Sequence, residues 1–467
     1  MATPALHVAR AWLRDGGGEA PLPEGVVDDA SHLESTHVRE VVAIEGATDE
    51  AIAHIRAALD RSQGAPISIS GARHTMGGHT IAPGGVVLDL GGVRSLALDG
   101  DVLIVGAGAC WHHVIAFLAP RGRAVEVMQS NADFSIGGSL GANCHGWQPR
   151  RGPLASTLDS FTIVLADGRA VRASRTENAD LFAHAVGGYG LFGVMVEARF
   201  RTVADVMCEA EHTIASLDDL DATLRGGLSD DTELAFARLS IVPGSDRFET
   251  ALVTAYRRID GVCPALCAPE DDDLARLVFR GQVGSDFGRR LRWLGERVVG
   301  GESGARASRN QLMSEPVRRF ANRRRDSTDI LFEGFVLPEA AASYARAIRR
   351  IVAAHDVDLL NVTVRHVLAD DVTVLRYAAT EVLGFVMLIA EPRSAVADAR
   401  LAIATREMID AVHDHGGRYY LPYRDHASRD QFHRAYPEAI GFAETKRRFD
   451  PTLRFQNRFW SRYLAPA

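Results

Sequence analysis

The sequence predicts an α+β fold built from two successive patterns of strands and helices. Between residues 35 and 205, short apolar runs alternate with turn signals, which indicates many short strands and few helices. From about residue 206, longer strands are separated by helices, a pattern typical of an antiparallel sheet flanked by helices. Residues 415–467 return to an aromatic and basic composition. These changes in pattern and composition along the chain predict that it has three parts, residues 1–205, 206–414 and 415–467.

The first part can be predicted element by element. "REVVAIEG" indicates a strand, and Thr48 is expected to cap a helix that places Ile52, Ile55 and Leu59 on one face. "APISISG" and "GGVVLDLGG" indicate two further strands. The later predictions are the hairpin "VRSLALDGDVLIVGAG" turning at Asp99-Gly100, the helix "ACWHHVIAFLAPRG" closed by Gly122, the hairpin "FTIVLADGRAVRAS" turning at Asp167-Gly168, the helix "NADLFAHAVGG" capped by Asn178, and the strand "FGVMVEARFRTV".

The middle part contains five strand patterns, "ELAFARLSIV", "ETALVTAYR", "DILFEGFVLP", "NVTVRHVLA" and "LGFVMLIAE", with helices predicted at 339–355 and 394–415. Its segment 285–326 is rich in arginine and has an apolar side around Trp293. One interpretation is a solvated helix face or a mobile loop. The other is a lid or surface patch for an anionic or lipid-phosphate substrate.

Composition excludes several classes of protein. With 467 residues, 46% hydrophobic and 24% charged, the chain is typical of a globular protein. A net charge of −8 argues against a general nucleic-acid binder. The five cysteines show no CxxC pair and no metal-binding spacing, and their odd number favours reduced thiols in the cytoplasm. No signal peptide or transmembrane run is expected.

Three glycine-rich loops carry the strongest functional signal. They are "SISGARHTMGGHT" (68–80), "SIGGSLGANCHG" (135–146) and "LFAHAVGGYGLFGVMVEARF" (181–200). Glycines let backbone N–H groups approach an anion or a flat ligand closely. The first loop has neither the lysine of a P-loop nor the GxGxxG of a Rossmann fold. Each loop taken alone is equally compatible with a structural turn.

Taken together, the order and spacing of these loops resemble the flavin domain of the vanillyl-alcohol-oxidase family, also called the FAD-linked oxidase or PCMH-type domain. The matching stretches are "SGARHTMGG", "VVLDLGGV", "SIGGSLGANCHG", "STLDSFTIVLADGRAV" and "ENADLFAHAVGGYGLFGVMVEARF", with the closing segment 416–455. Within this family, the sequence pattern most resembles that of the decaprenylphosphoryl-ribose 2′-oxidases. It next resembles the patterns of sugar-alcohol and aldonolactone oxidases and of cytokinin dehydrogenases. The resemblance implies a two-part FAD-binding domain, 1–205 with 415–467, around a substrate domain, 206–414.

The resemblance also implies which residues contact FAD. The first loop would hold the pyrophosphate, and the second would lie against the flavin through its backbone. Val194 would lie along the pyrimidine end of the ring, and Tyr420 matches an aromatic that contacts the cofactor. The implied cofactor-binding residues are Ser70, Gly71, Ala72, Arg73, His74, Thr75, Ser135, Ile136, Gly137, Gly138, Ala142, Asn143, Cys144, His145, Val194 and Tyr420.

His74 occupies the position at which many members of the family bind the flavin 8α-methyl covalently. The resemblance therefore implies covalent FAD, although the decaprenylphosphoryl group lacks this histidine. The alternative is a histidine that only hydrogen-bonds within its loop. A second covalent bond is not expected, because Asp133 and Phe134 stand where the bicovalent subgroup has a cysteine. Cys144 is bulkier than the small residue of some oxidases, which leaves oxygen access open.

Oxidation of an alcohol requires a base for the hydroxyl proton and hydride transfer to flavin N5. The candidate catalytic residues are His145, His366, Tyr423 and Arg424; the last two align with the catalytic lysine of the decaprenylphosphoryl group. In "NVTVRHV", alternation puts His366 on the face of Val362 and Val364, opposite Arg365. If that face is core, His366 is a buried structural residue and Arg365 points to solvent. If that face covers the flavin, His366 meets substrate.

The sequence therefore predicts an FAD-dependent oxidase or dehydrogenase acting on the CH–OH group of a sugar-like or small alcohol, with oxygen or another molecule as electron acceptor. Alternatives are oxidation of an amine, reduction of a double bond, or a non-catalytic flavin-binding protein. No metal, nucleic acid or membrane span is part of this prediction.

Overall fold

The computed structural model describes residues 4–16, 18, 21–267, 273–299 and 304–466. Within these ranges, no helix combines the length and the apolar character needed to cross a bilayer.

Residues up to 205 form mostly short strands. In chain order the elements are α1 (Pro4–Arg14), β1 (Val26–Val27), β2 (Thr36–His37), β3 (Glu40–Glu45), α2 (Thr48–Arg61), β4 (Ile67–Ser70), β5 (Val86–Gly92), β6 (Leu96–Asp99), β7 (Val102–Gly106), α3 (Trp111–Leu118), β8 (Arg123–Val125), α4 (Ile136–Gly141), β9 (Leu158–Val164), β10 (Ala170–Ser174), α5 (Ala179–Ala185) and β11 (Val194–Ala204).

The rest of the chain has longer strands and helices. They are β12 (Met207–Ser216), α6 (Leu220–Gly226), β13 (Thr232–Leu239), β14 (Thr250–Ile259), α7 (Asp273–Arg280), α8 (Asp286–Val299), β15 (Arg306–Ser308), α9 (Arg309–Met313), β16 (Ser327–Val336), α10 (Ala341–Ala354), β17 (Leu359–Val367), β18 (Val382–Pro392), α11 (Ala395–Asp414), β19 (Arg418–Tyr419), α12 (Arg429–Ala435) and α13 (Ala439–Phe449).

Two sheets carry the first and third glycine-rich loops. A parallel sheet has the order β3-β5-β4, and the first loop leaves the end of β4 at Ser70. An antiparallel sheet has the order β10-β9-β11-β7-β6, with β8 paired to the end of β11. The third loop leads directly into β11, which pairs with both β9 and β7. The first and third loops therefore start or end on strands, whereas the second loop contains α4 and touches strand structure only through an isolated bridge between Cys110 and Ser135.

An antiparallel sheet of eight strands, in the order β15-β12-β14-β13-β17-β18-β16-β19, forms the middle of the chain. One face is covered by helices: Tyr344 of α10 packs edge-on against Phe385 of β18, with ring centroids 5.0 Å apart. At Gly334 of β16 a Cβ atom would lie 2.3 Å from the Tyr344 hydroxyl and 2.5 Å from a methyl of Val412, so α10 and α11 press directly on the strand. The opposite face looks toward the glycine-rich loops.

The C-terminal segment returns to the parallel sheet. Phe455 forms a parallel bridge with Ile67 of β4. The turn before it is held by Lys446 and Asp450, an ion pair whose two side chains are 0% exposed. Asp450 also accepts the backbone N–H of Arg454 at 2.9 Å and of Phe455 at 2.8 Å. Burial lowers the pKa of Lys446 to about 8. This contact places the last residues beside the first glycine-rich loop.

The α+β prediction is confirmed, and both hairpins turn at the predicted Asp-Gly pairs, where Gly100 and Gly168 have positive φ. Gly122 closes the helical stretch after α3 in the left-handed region, as predicted. One cap prediction is wrong, because Ala47 is the N-cap of α2 and Thr48 is its first residue. The Thr48 hydroxyl instead donates to Glu197 at 2.8 Å.

Candidate functional site

The three glycine-rich loops and the eight-stranded sheet line a cavity of about 1270 Å³. Small-molecule sites typically measure about 300–1,000 Å³, so this cavity has room for a dinucleotide together with a substrate. Its inner end lies among the loops, and its outer end lies against the uncovered face of the sheet.

In the first loop, Arg73 and His74 point in different directions. Arg73 has a φ of 57°, a left-handed conformation that is uncommon outside glycine. Its Nε donates to Ser70 Oγ at 2.7 Å and its Nη2 to Asp89 at 3.0 Å, so its guanidinium is fixed to the parallel sheet. His74 stacks on Phe134, with ring centroids 4.2 Å apart and planes 16° apart. Burial lowers the pKa of His74, although nearby Asp133 opposes the shift.

The Ser135 hydroxyl joins the first loop to the second. It accepts the N–H of Ala72 and the N–H of Gly138, both at 3.3 Å, and so also caps α4. A Cβ atom on Gly71 would lie only 2.2 Å from this oxygen. Glycine is therefore required at position 71 by close approach to Ser135, rather than by its own backbone conformation.

The third loop is tied to both of the others. The Tyr189 N–H donates to the carbonyl of Gly141 at 3.0 Å. The side-chain amide of Asn457 donates to the carbonyls of Tyr189, at 2.8 Å, and of His79, at 2.9 Å. One residue of the C-terminal segment thus holds the first and third loops together. The three loops form one continuous cradle.

This cradle contains polar atoms that the described residues leave without partners. Thr75 Oγ1, Thr80 Oγ1 and both ring nitrogens of His79 are buried, have no hydrogen-bond partner and belong to residues that line the cavity. Buried polar groups in proteins are almost always satisfied, so unpartnered atoms in a cavity indicate a polar ligand. Glycine-rich backbone with these free polar groups suits the phosphates of a dinucleotide such as FAD.

At the junction between the second loop and the sheet, His145 lies against Glu333. His145 Nε2 is in hydrogen-bond contact with Glu333 Oε1, and the two side chains are 3% and 2% exposed. The other carboxylate oxygen of Glu333 accepts the Tyr423 hydroxyl at 3.1 Å. His145 Nδ1 is buried and has no partner among the described residues. The pair thus presents one free imidazole nitrogen beside the cavity.

Aromatic rings fix the position of His145. Phe335, Tyr377 and Tyr420 surround it, with ring centroids 5.1 to 5.9 Å from its own. The Tyr420 hydroxyl donates to the carbonyl of Ala142 at 3.0 Å, and the Tyr377 hydroxyl donates to that of Asn143 at 2.7 Å. Both tyrosines therefore also hold the second loop, which leaves little freedom for the imidazole.

Arg365 is buried next to this group. Its Nη2 donates to Ser130 Oγ, whereas its Nε is buried without a partner among the described residues. Burial lowers the pKa of Arg365, and the nearby Glu333 is the strongest opposing influence. Burial also raises the pKa of Tyr423 well above its usual value, with Glu333 adding to the effect. At neutral pH the phenol therefore stays protonated and acts as a donor.

Many of the predicted site residues meet at this cavity. Those that line it are Ser70, Gly71, Ala72, Arg73, His74, Thr75, Ser135, Gly137, Gly138, Ala142, Cys144, His145, Tyr420 and Tyr423. Ile136 and Val194 are 0% exposed and pack in the hydrophobic core instead. The Asn143 side chain also turns away, because it donates to Asp370 at 2.8 Å and accepts the Ala155 N–H at 3.0 Å.

Two of the four predicted catalytic residues do not line the cavity. His366 lies outside the cavity: its Nδ1 accepts the Arg150 N–H at 3.2 Å and its Nε2 contacts Glu381 at 2.7 Å. The Val362 face of β17 is the core face, as the first alternative assumed, but Arg365 faces the cavity rather than solvent. Arg424 is held by Glu34 at 2.5 Å and by Asp398 at 2.8 Å, so it has a structural role.

Sequence reasoning missed Glu333, Arg365 and Arg238, which line the cavity from three strands of the sheet. A signal for the first was present in "DILFEGFVLP", where a single glutamate interrupts an apolar strand. A buried charge is costly unless it is paired, so such a residue often marks a functional site. No comparable signal separated the two arginines from the many others in the chain.

The arginine-rich segment has mixed surroundings. Arg289 and Arg292 of α8 are mostly buried and pair with Asp358 at 2.5 Å and with Glu296 at 2.8 Å. Burial lowers the pKa of Arg292 to about 10. Residues 314–323 line the outer end of the cavity, where Arg319 pairs with Glu315 at 3.1 Å. In the described residues 285–299 and 304–326, these buried and paired arginines do not fit a wholly solvated helix face.

Comparison with known proteins identifies part of the chain. Residues 40–174 match a family described as an FAD binding domain. Cytokinin dehydrogenase 5 of Oryza sativa subsp. japonica is 32% identical over 214 residues, which cover 42% of this chain and 40% of that protein. FAD-linked oxidoreductase hasG of Aspergillus fumigatus is 32% identical over 142 residues, which cover 29% of this chain and 30% of that protein.

The chain thus spans less than half the length of these curated relatives. The matched region contains the first and second loops complete, and the resemblance to the FAD-linked oxidases is confirmed for it.

Proposed function

With an FAD-binding domain at residues 40–174 as the premise, we propose that this protein oxidises the CH–OH group of a sugar-like or small alcohol, with His145 as the base. The observation that carries the proposal is the free Nδ1 of His145, buried beside the cavity while Nε2 contacts Glu333. Histidine is the commonest general base near neutral pH.

Glu333 determines how His145 acts. An ionised carboxylate next to Nε2 favours the tautomer in which Nε2 carries the proton, so Nδ1 presents its lone pair to the cavity. The same carboxylate stabilises the imidazolium that forms when Nδ1 takes the proton of a substrate hydroxyl. This is the logic of a histidine oriented by a carboxylate, built here from a loop and a strand.

Tyr423 and Arg365 would position the substrate. Tyr423 donates to Glu333, which holds the carboxylate in place and adds a second fixed dipole. The unpartnered Nε of Arg365 is a donor for a substrate oxygen next to the reacting carbon. Closing these groups off from solvent strengthens each interaction, because charges attract more strongly where water is excluded.

FAD fits the cradle formed by the loops, and when bound it would accept the two electrons released by substrate oxidation. The first loop with Thr75, Thr80 and His79 would hold its phosphates, and the second loop with Tyr420 would lie beside its ring system. Covalent attachment through His74 is part of the proposal. Its support is that His74 lines the cavity and that burial lowers its pKa, which keeps a nitrogen lone pair available at neutral pH.

The test is anaerobic mixing of the purified yellow protein with a panel of polyols, sugars and simple alcohols. We expect at least one of them to bleach the flavin absorbance. His145→Gln keeps a donor to Glu333 but removes Nδ1, so bleaching should slow by about 10²-fold or more. His366→Gln is the matched control and should bleach at the normal rate. Equal rates for the two variants would contradict the role of His145.

The relatives favour a second candidate, oxidation of an amine, because six of the matched proteins are named cytokinin dehydrogenases. The same imidazole could take a proton from an ammonium or amine substrate. The two candidates differ in the panel member that bleaches the flavin, a primary or secondary amine rather than an alcohol. Reoxidation by air or only by an artificial acceptor then distinguishes an oxidase from a dehydrogenase.

A further inference from the structure

We propose that the outer end of the cavity is a binding subsite for a planar aromatic ring that carries a carboxylate. The subsite consists of the aromatic wall, defined as Trp147, Phe236 and Tyr256, together with Arg238. It rests on the proposed function only in that a substrate held here would reach toward His145. Binding at the subsite itself does not depend on turnover.

The aromatic wall offers ring faces to the cavity. Trp147 contacts Phe236 with centroids 5.4 Å apart at 56°, and Tyr256 with centroids 5.8 Å apart at 90°. All three residues line the cavity and are only partly buried. Phe236 is absent from the hydrophobic core clusters of the described residues, so core packing does not account for it. Exposed aromatic faces in a cavity favour stacking with another ring.

The polar groups around the wall are mainly hydrogen-bond donors. Trp147 Nε1 and Arg365 Nε are buried and have no partner among the described residues. Arg238 donates to Asn361 at 3.0 Å and lies 3.4 Å from Glu296, which leaves part of its planar guanidinium facing the cavity. An indole N–H and guanidinium groups cannot accept hydrogen bonds. The complementary ligand therefore carries acceptors, and two cations favour an anionic one.

The nearby carboxylates do not reverse this preference. Glu315 lies close to Tyr256 and Arg365, but it pairs with Arg319 at 3.1 Å. Glu296 is shared between Arg238 and Arg292, which it contacts at 2.8 Å. Glu315 and Glu296 thus both pair with arginines, and Glu333, the carboxylate with the strongest influence on Arg365, is in contact with His145 and Tyr423, whereas two donor atoms near the wall remain free. A carboxylate-bearing ligand would use those donors.

Strand register relates the subsite to the proposed base. Glu333 pairs with Val386, Val386 with Thr363, and Thr363 with Arg238, so one row crosses four adjacent strands. Three strand spacings place the Cα atoms of Glu333 and Arg238 about 14 Å apart. Arg365 lies two residues beyond Thr363 on β17, the strand directly beside β13, which carries Arg238. The side chains of Glu333 and Arg238 shorten this separation, so the space between them suits a single ring with one substituent.

The experiment uses the intact flavin-containing protein and three probes: sodium benzoate, benzamide and cyclohexanecarboxylate. Binding is measured by isothermal titration calorimetry, and occupancy of the cavity is checked by perturbation of the flavin absorption spectrum. We expect benzoate to bind about tenfold more tightly than benzamide, which lacks the charge, and more tightly than cyclohexanecarboxylate, which lacks the flat ring.

Two variants localise the binding. Arg238→Gln should weaken benzoate about tenfold and erase its advantage over benzamide. Trp147→Phe keeps a ring but removes the N–H, so it should weaken both aromatic probes. Arg258→Gln, an exposed arginine of β14 outside the cavity, is the matched control and should bind normally. Equal affinity for benzoate and cyclohexanecarboxylate, or no effect of Arg238→Gln, would overturn the proposal.

The binding experiment and the bleaching experiment can give independent results. If benzoate binds as expected but no alcohol or amine bleaches the flavin, the subsite stands and the proposed reaction is wrong. If an alcohol bleaches the flavin but none of the ring probes binds, the subsite is wrong and the reaction stands.

Discussion

His145 and Glu333 are 188 residues apart in the chain, yet the imidazole Nε2 and the carboxylate are in hydrogen-bond contact inside the protein. The histidine comes from a loop of the FAD-binding domain and the glutamate from a central strand of the eight-stranded sheet. The hydrogen-bonded pair therefore forms only when the loop and the strand are packed together. The contact therefore couples the position of the substrate-facing sheet to the protonation of the proposed base.

The first prediction concerns the charge of Glu333. Glu333→Gln keeps the shape and a hydrogen-bonding group but removes the negative charge that would stabilise a protonated His145. We expect kcat for the bleaching substrate to fall by about 10²-fold or more, while KM changes little. Stopped-flow measurement of flavin reduction over a range of substrate concentrations separates the two effects.

A second histidine–glutamate pair supplies the control. Glu381 contacts His366 at 2.7 Å on the far side of the sheet and also pairs with Arg225 at 3.3 Å. Glu381→Gln changes the same chemical group outside the cavity and should leave kcat within about twofold of the original. A loss of rate as large as that of Glu333→Gln would mean that both variants act through general destabilisation of the sheet.

The second prediction follows from the close approach of Gly71 to Ser135. Gly71→Ala places a methyl group 2.2 Å from the hydroxyl that joins the first two loops, so the loops must separate. We expect the purified variant to contain much less flavin. Gly441→Ala, in an open position on α13, should retain the normal flavin content. The ratio of flavin absorbance to protein absorbance measures both.

A second substitution tests whether the clash with Ser135 is the cause of the flavin loss in Gly71→Ala. Adding Ser135→Ala removes the clashing oxygen, although the Ser135 Cβ would still be 3.0 Å away. The double variant should therefore recover some flavin. If the single Gly71→Ala protein is as yellow as the original, the clash is relieved by another route and the explanation fails.

The third prediction concerns attachment through His74. If the bond exists, acid precipitation leaves the yellow colour in the protein pellet, because a covalent link survives unfolding. His74→Ala should transfer the colour to the supernatant, and denaturing electrophoresis should lose its fluorescent band. Colour in the supernatant of the unmodified protein would show that His74 only packs against Phe134 in its loop.

The fourth prediction is a pH effect on stability. Burial lowers the pKa of His79 to about 4, whereas an unfolded histidine titrates near 6.5. The unfolded state therefore binds more protons between these values, and stability falls as pH decreases from about 6.5 to about 4. The expected loss attributable to His79 is about 3 kcal/mol at pH 4.

Urea unfolding of the flavin-free protein at several pH values tests this contribution, because a bound phosphate beside His79 would raise its pKa. His79→Phe keeps a ring between Tyr189 and Phe459 but cannot titrate, so its free energy of unfolding should depend less steeply on pH over this window. Comparing slopes within each protein removes any uniform change caused by the larger ring. Parallel slopes for the two proteins would show that the His79 side chain is not the group responsible.

The local elements were the most predictable from sequence. The Asp-Gly turns, the strand alternation and the glycine-rich loops each reflect the conformational preferences of a few neighbouring residues. His145 could be chosen because it closes a recognisable loop. Predicted helices at 339–355 and 394–415 correspond to α10 and α11 within two residues at each end.

The pairing of distant residues could not be predicted in this way. The strand alternation of "NVTVRHV" is correct, but it does not say which face meets the cavity, and that choice decides between His366 and Arg365. The answer depends on α10 and α11, which cover the other face and are reached only through tertiary packing. The partners of Glu333 could not be predicted for the same reason, since they come from two distant segments, although the single glutamate in an apolar strand was itself a signal.

Lys446 is the one lysine in the sequence, and it is completely buried against Asp450. Amine-directed reagents such as succinimidyl esters therefore find no reactive side chain on the folded surface, apart from the chain's α-amine. Within these 467 residues, conjugation of the folded protein to a dye or a bead through a lysine side chain is therefore not expected. Any labelling of Lys446 itself would record the opening of the C-terminal segment.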